Sequence, residues 1–141
     1  MKCMFPAGQR YVAYVEDDAE DVELFEEVAT AAGLVVQSFP DGEALLQCLG
    51  EQATTLPCLI LLDLKNPVRS GPETYACLQA DTRFRAIPVK YFSSSWELME
   101  REQKQSPDVE LITKPDVYSD WLSLVTRLAD FCRAADAPSL P

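Results

Sequence analysis

Residues 58–71 read Cys58-Leu59-Ile60-Leu61-Leu62-Asp63-Leu64-Lys65-Asn66-Pro67-Val68-Arg69-Ser70-Gly71. Five apolar residues in unbroken succession end at a carboxylate. A strand that shows neither face to water is apolar at every position, and such strands belong to parallel sheets covered by helices on both sides. The switch from Leu62 to Asp63 therefore marks the place where a buried strand reaches an edge of the sheet.

Working outward, the same pattern recurs. Upstream, Tyr11-Val12-Ala13-Tyr14-Val15 is a short apolar run that stops at Glu16-Asp17-Asp18. Val22, Leu24, Phe25, Val28 and Ala29 follow at helical spacing, and Gly33 closes that helix. Leu34–Phe39 reads as a second strand, and Asp41 in the turn Pro40-Asp41-Gly42 is placed to cap a helix over Glu43–Leu49. Downstream, a helix is predicted over Gly71–Ala80 with Tyr75 and Leu78 inward. A strand is predicted over Pro88–Phe92, ending at Ser93-Ser94-Ser95, and a short polar helix over Trp96–Gln105. Val109–Ile112 is a fifth strand, ending at Thr113-Lys114-Pro115. The last helix runs from Asp116 to about Arg133, with Trp121, Leu122, Leu124, Val125, Leu128, Ala129 and Cys132 on its apolar stripe. Five strand–helix alternations predict an α/β protein with a five-stranded parallel sheet, doubly wound as (βα)5 in the flavodoxin-like manner. The domain occupies residues 10–133, with residues 1–9 as an N-terminal extension and residues 134–141 as a flexible C-terminal tail.

Composition agrees and excludes alternatives. The 141 residues, 48% apolar and 25% charged, suit one soluble globular domain and exclude a disordered or collagen-like chain. No apolar run approaches the roughly 18–20 residues of a membrane span. The N-terminus, broken by Pro6 and Gly8, is too short for a signal peptide, so a cytoplasmic location is expected. The net charge of −11 argues against nucleic-acid binding, which depends on neutralising phosphates. The chain has no histidine, which excludes a histidine general base, Ser-His-Asp chemistry and the usual zinc sites. Five cysteines at irregular spacing, Cys3, Cys48, Cys58, Cys77 and Cys132, are expected to be reduced thiols packed as small apolar groups.

Charge is uneven along the chain. No Lys or Arg occurs between Arg10 and Lys65, a stretch holding twelve Asp and Glu. Such blocks are most often solvated faces, but Glu16, Asp17 and Asp18 sit side by side where a strand ends. Open α/β sheets bind ligands at the carboxyl ends of their strands. Those ends carry Glu16-Asp17-Asp18, then Asp63, then Ser93 and Ser94, then Lys114. Clustered carboxylates repel one another without a cation, and a few hard oxygen donors suit Mg²⁺ or Mn²⁺. A lysine balances charge on a bound anion, and Ser93 can donate a hydrogen bond to it. An aspartate beside a divalent cation, an ammonium and a hydroxyl is suited to nucleophilic attack on a phosphoryl group. Asp18 fits a helix N-cap better than a metal ligand, and Ser93 has a competing reading as a cap of the helix that follows it.

In this order, Val15-Glu16-Asp17-Asp18, Leu61 to Gly71, Pro88-Val89 to Ser93-Ser94, and Thr113-Lys114-Pro115 resemble a response-regulator receiver domain over about residues 10–133. The Asp-x-x-x-Pro-x-x-x-Gly spacing of Asp63, Pro67 and Gly71 is the sharpest element. Glu16-Asp17, Ala80-Asp81 and Arg83–Pro88 further resemble single-domain regulators paired with bacteriophytochrome-type kinases. The resemblance implies a phosphoacceptor signalling protein rather than an enzyme, part of a two-component phosphorelay. Asp63 takes a phosphoryl group from a partner kinase's histidine. Asp17 holds Mg²⁺ directly and Glu16 holds it through water, with Asp63 and the backbone carbonyl of Lys65 as further ligands. Ser93 moves to bond a phosphoryl oxygen, Lys114 pairs with it, and the Lys114-Pro115 bond is cis. The helix 4–strand 5–helix 5 face, including Trp96, Met99, Glu110 and part of Asp116–Ser123, is implied as an output or homodimer surface. Trp121 there reads either as an interface anchor or as core packing.

Two positions depart from the family. Leu111 stands where an aromatic residue commonly lies three before the lysine, so an aromatic rotamer switch has no counterpart. Lys65, two after Asp63, puts a cation where it can shield an acyl phosphate from water. Two other readings compete. A haloacid-dehalogenase-type phosphatase shares the strand-end Asp, Mg²⁺, hydroxyl and Lys, but typically has a second Asp where this chain has Lys65, and a cap domain. A pseudo-receiver binds protein without taking phosphate, and Leu111 is its support.

Overall fold

The computed structural model describes residues 10–51 and 55–135. The predicted N-terminal extension lies outside them, as does the tail beyond Ala135. Ten elements alternate: β1 (Val12–Val15), α1 (Ala19–Ala32), β2 (Val36–Phe39), α2 (Gly42–Glu51), β3 (Leu59–Leu62), α3 (Gly71–Ala80), β4 (Val89–Ser93), α4 (Trp96–Gln105), β5 (Glu110–Thr113) and α5 (Tyr118–Ala135). The five strands form one parallel sheet in the order β2-β1-β3-β4-β5. The predicted doubly wound α/β fold is the observed one. α5 begins two residues later than expected and runs on to Ala135, taking in the first two residues assigned to the tail.

The unbroken apolar runs serve two cores, because successive strand side chains point to opposite faces. Ile60 and Leu62 pack with Ala13, Val15, Leu45 and Leu78 beneath α2 and α3. Leu59 and Leu61 pack with Val12, Tyr14, Phe25 and Val125 beneath α1 and α5. All four residues of β3 are fully buried. Burying one such Leu or Ile side chain contributes roughly 1.5–3 kcal/mol, so the central strands are the most strongly specified part of the chain.

The helix ends follow local chemistry. Asp18 caps α1 by accepting from the N–H groups of Glu20 and Asp21, and Gly33 ends it at φ 75°, a left-handed conformation that glycine adopts without a steric penalty. Asp41 accepts from the N–H of Ala44 at 2.8 Å, as predicted. Ser70 and Glu73 form a capping box at the start of α3.

The cysteines depart from the expectation of reduced thiols. Cys58 and Cys132 form a disulfide, with Cα atoms 5.4 Å apart, rather than remaining reduced. Cys48 is likewise disulfide-bonded, Cys77 is the free thiol among the described residues, and Cys3 lies outside them. The physical reason is long-range packing: α5 and β3 contribute to one core on one face of the sheet, which brings residue 132 to residue 58, 74 positions away. Trp121 is core: it is 3% exposed and meets Phe25 and Phe92 edge-on. Trp96 is 72% exposed.

Candidate functional site

β1 and β3 are parallel neighbours with Val15 opposite Leu62. The residues that follow, Glu16 and Asp63, therefore emerge together, and the ladder continues one step as the Asp63 N–H donates to the Val15 carbonyl at 3.2 Å. β4 and β5 are in register from Lys90 opposite Glu110 to Ser93 opposite Thr113, and the Lys114 N–H donates to the Ser93 carbonyl at 3.0 Å. One cleft is thus lined by Glu16, Asp17, Asp63, Lys65, Ser93 and Lys114. All six predicted site residues are brought to one edge.

Carboxylate oxygens of Glu16, Asp17 and Asp63 lie within 4.8 Å of one another. Glu16 and Asp63 are buried and Asp17 is exposed. This donor set is hard oxygen, close-set and open to solvent on one side, which fits Mg²⁺ or Mn²⁺ completed by water. Asp18 lies outside that group and is the N-cap of α1, as the sequence reading preferred.

Glu16 is held from three directions. Tyr14 Oη donates to Oε1 at 3.3 Å, the Asp18 N–H donates to Oε2 at 3.1 Å, and Lys114 Nζ donates to Oε1 at 2.5 Å. Lys114 Nζ also donates to Asp21 Oδ2 at 2.9 Å and sits 5.8 Å from the centre of the Phe92 ring. Burial alone would lower the Lys114 ammonium, but its bonds to Glu16 and Asp21 hold it above the ordinary lysine value.

Burial raises the Asp63 carboxyl to about 6, reinforced by the Glu16 and Asp17 charges. The Lys114 charge and the Lys65 N–H oppose that rise. An anion there is poorly solvated, so a cation or an incoming electrophile is favoured at that oxygen.

The loop after Asp63 is fixed rather than free. Asn66 donates through Nδ2 to the Pro40 carbonyl at 2.9 Å and accepts the Val68 N–H on Oδ1 at 3.1 Å. The Gly71 N–H donates to the Leu64 carbonyl at 3.2 Å. Lys65 is exposed on this loop beside Asp63.

Ser93 is 3% exposed. Its Oγ accepts the Ser95 N–H at 3.0 Å, which leaves the hydroxyl proton available for an anion in the cleft. Ser95 is the N-cap of α4, accepting from Leu98. The cap of α4 is thus Ser95 and not Ser93, whose side chain lines the cleft.

The predicted cis Lys114-Pro115 bond is not observed. Among the described residues every peptide bond is trans. The trans isomer is intrinsically favoured by about 0.5–1 kcal/mol, and it still directs the ammonium into the cleft. Three contributors escaped sequence reading: Tyr14, Asp21 and Asn66. Tyr14 reads as core and Asp21 as a helix-face acid. A polar residue three positions after the strand-end Asp63 is a signal for Asn66.

The fold is that of a receiver domain. The phosphorylated cyanobacterial phytochrome response regulator RcpA is similar, with 26% identity, a TM-score of 0.75, and coverage of 96% of this chain and 99% of that one. The Mn²⁺-bound response regulator Rcp1 shows 25% identity and a TM-score of 0.72, with the same coverage. The bacteriophytochrome response regulator AtBRR shows 25% identity and a TM-score of 0.70, covering 85% of this chain and 92% of that one. The structural neighbours are thus phytochrome-type response regulators, signalling proteins, as the sequence resemblance implied. No family model and no curated protein sequence matches the chain. No helix among the described residues is long and apolar enough to cross a membrane.

Proposed function

We propose that the protein is a stand-alone response regulator that accepts a phosphoryl group on Asp63 from a sensor histidine kinase in a Mg²⁺-dependent reaction. The observation that carries this is the convergence of Glu16, Asp17 and Asp63 oxygens within 4.8 Å, flanked in one cleft by Ser93 and Lys114. An Asp63 oxygen forms the new bond to phosphorus as the phosphorus–nitrogen bond of the kinase's phosphohistidine breaks. The electron pair leaves on the imidazole nitrogen, which takes a proton. Asp17, the Asp63 carboxylate and the Lys65 carbonyl would hold a divalent cation directly and Glu16 would hold it through water, and the cation would supply neutralising charge for the transferring oxygens. Lys114 pairs with one phosphoryl oxygen and the Ser93 hydroxyl donates to another.

The kinase is of the bacteriophytochrome type. The support is the likeness to the cyanobacterial phytochrome response regulator RcpA and to the bacteriophytochrome response regulator AtBRR. Signalling proceeds by phosphorylation-dependent protein contact in the cytoplasm. The face of α4, β5 and α5 serves a homodimer, with exposed Trp96 and Glu110 and half-exposed Tyr118 and Leu122 as its contacts. Solution mass by light scattering tests this, and a strict monomer at high concentration contradicts it.

Intact mass after incubation with Mg²⁺ and acetyl phosphate tests the acceptor. A gain of one phosphoryl group, absent in Asp63→Asn and in chelator, is expected. A folded protein with Mg²⁺ and no gain is a pseudo-receiver, and Leu111 becomes its leading clue.

A further inference from the structure

Asp21 occupies the third position of α1, where an acid after a capping residue ordinarily reaches back to the cap's own N–H. Here that N–H, on Asp18, is taken by Glu16 Oε2 at 3.1 Å. The Asp21 carboxylate is thereby released from the helix end and meets Lys114 Nζ at 2.9 Å, across 93 positions of sequence. Lys114 has three N–H donors. Glu16 takes one and Asp21 another.

The two anchors are not equivalent. Glu16 belongs to the oxygen cluster suited to a cation and already accepts from Tyr14 and Asp18. Its hold on Lys114 weakens when a cation draws on the same oxygens. Asp21 lies outside that cluster and its side chain is 31% exposed, so its bond to the ammonium does not compete with the cation.

We propose that Asp21 is a positioning residue for phosphoryl transfer. It anchors Lys114 when the cation is bound and leaves the third ammonium donor for the phosphoryl oxygen on Asp63. This rests on the receiver reading given above. It also predicts a sign opposite to simple electrostatics: removing a negative charge near an anion site ought to strengthen anion binding, whereas losing the anchor weakens it.

The test is calorimetric binding of beryllofluoride, an unreactive phosphoryl mimic, in saturating Mg²⁺. Mg²⁺ affinity is measured separately, with thermal unfolding to check folding. Asp21→Asn is expected to bind beryllofluoride about three- to tenfold more weakly, with Mg²⁺ affinity changed less than about twofold. Asp21→Glu, which keeps the carboxylate, recovers much of the loss. Glu20→Gln removes a neighbouring charge that does not touch Lys114, and is expected to bind the mimic as well as or better than wild type. Unchanged or tighter binding by Asp21→Asn, or an equal loss in Glu20→Gln, overturns the role of Asp21 alone. Wild-type protein that binds no beryllofluoride in Mg²⁺ overturns the receiver reading, and this inference with it.

Discussion

Gly71 lies so close to Asp63 that a β-carbon at position 71 would stand 2.7 Å from the Asp63 carbonyl oxygen and 3.2 Å from the Leu64 Cα. Both obstacles are backbone, which cannot rotate aside. The glycine in the Asp63-x-x-x-Pro67-x-x-x-Gly71 spacing therefore lets α3 start directly against the Asp63 backbone.

Gly71→Ala is expected to destabilise the protein by about 1–3 kcal/mol, the usual cost of forcing volume into a packed place. It should also displace the acceptor loop. Urea unfolding and acetyl phosphate labelling check this. Full labelling with unchanged stability would show that the contact is not limiting.

The raised carboxyl of Asp63 makes a pH prediction. Its folded-state value of about 6 lies above the ordinary 3.8, so the ionised side chain disfavours the fold. The penalty is absent below about pH 4, grows between pH 4 and 6, and is complete above 6. Without divalent cation, Asp63→Asn is expected to be more stable than wild type at pH 7.5. The gain is on the order of 1–2 kcal/mol, with the full shift discounted for solvent at the open side of the cleft. Thermal scans should show that gain vanishing towards pH 4, and a constant difference across pH would assign the effect elsewhere.

Mg²⁺ should act in the opposite direction, relieving repulsion among Glu16, Asp17 and Asp63. At ten times its dissociation constant it adds about 1.4 kcal/mol, roughly 4 °C in Tm for a chain of this size. Chelator reverses the shift, and Asp17→Asn should abolish it. A full shift in that variant would place the cation away from the cleft.

Lys65 stands exposed beside Asp63, where its charge would shield an acyl phosphate. Lys65→Asn is expected to shorten the lifetime of phosphorylated Asp63 by about two- to tenfold, equivalent to roughly 0.4–1.4 kcal/mol of barrier. An unchanged decay, followed by intact mass, would remove Lys65 from this role.

The Cys58–Cys132 bridge closes a loop spanning 74 positions and ties the end of α5 to the start of β3. Chain entropy alone puts its contribution at about 4 kcal/mol. Both residues are almost wholly buried, which slows attack by small thiols. Cys132→Ser should lower the unfolding free energy by about 2–4 kcal/mol. Peptide mapping without reductant should recover the 58–132 link, and two free thiols at these positions would contradict it.

How much was legible can be judged from particular residues. β3 was readable because Leu59–Leu62 is apolar throughout, and periodicity is a local property. The limits of α1 and α2 followed from Gly33 and Asp41, whose hydrogen bonds span only a few positions, whereas the cap of α4 falls on Ser95 and not on Ser93. Leu111, which departs from the family pattern, is a partly buried side chain packed against the core. Trp121 was ambiguous because an apolar helix stripe does not say whether sheet or partner covers it. Phe25 and Phe92 supply the answer.

The sequence by itself determined the five strand–helix alternations and which residues follow each strand. Both depend on side-chain character over a few neighbouring positions. Only the tertiary structure decided that Asp21 holds Lys114, that Tyr14 supports Glu16, that Cys58 meets Cys132 and that Lys114-Pro115 stays trans. Three of these relationships are through-space contacts. Strand order and helix packing create those between Asp21 and Lys114 and between Cys58 and Cys132, which lie 93 and 74 positions apart. Tyr14 and Glu16 are two positions apart, and the strand-end geometry turns the carboxylate back to the phenol. The fourth is a choice between isomers separated by about 1 kcal/mol, too small a difference for local sequence to settle.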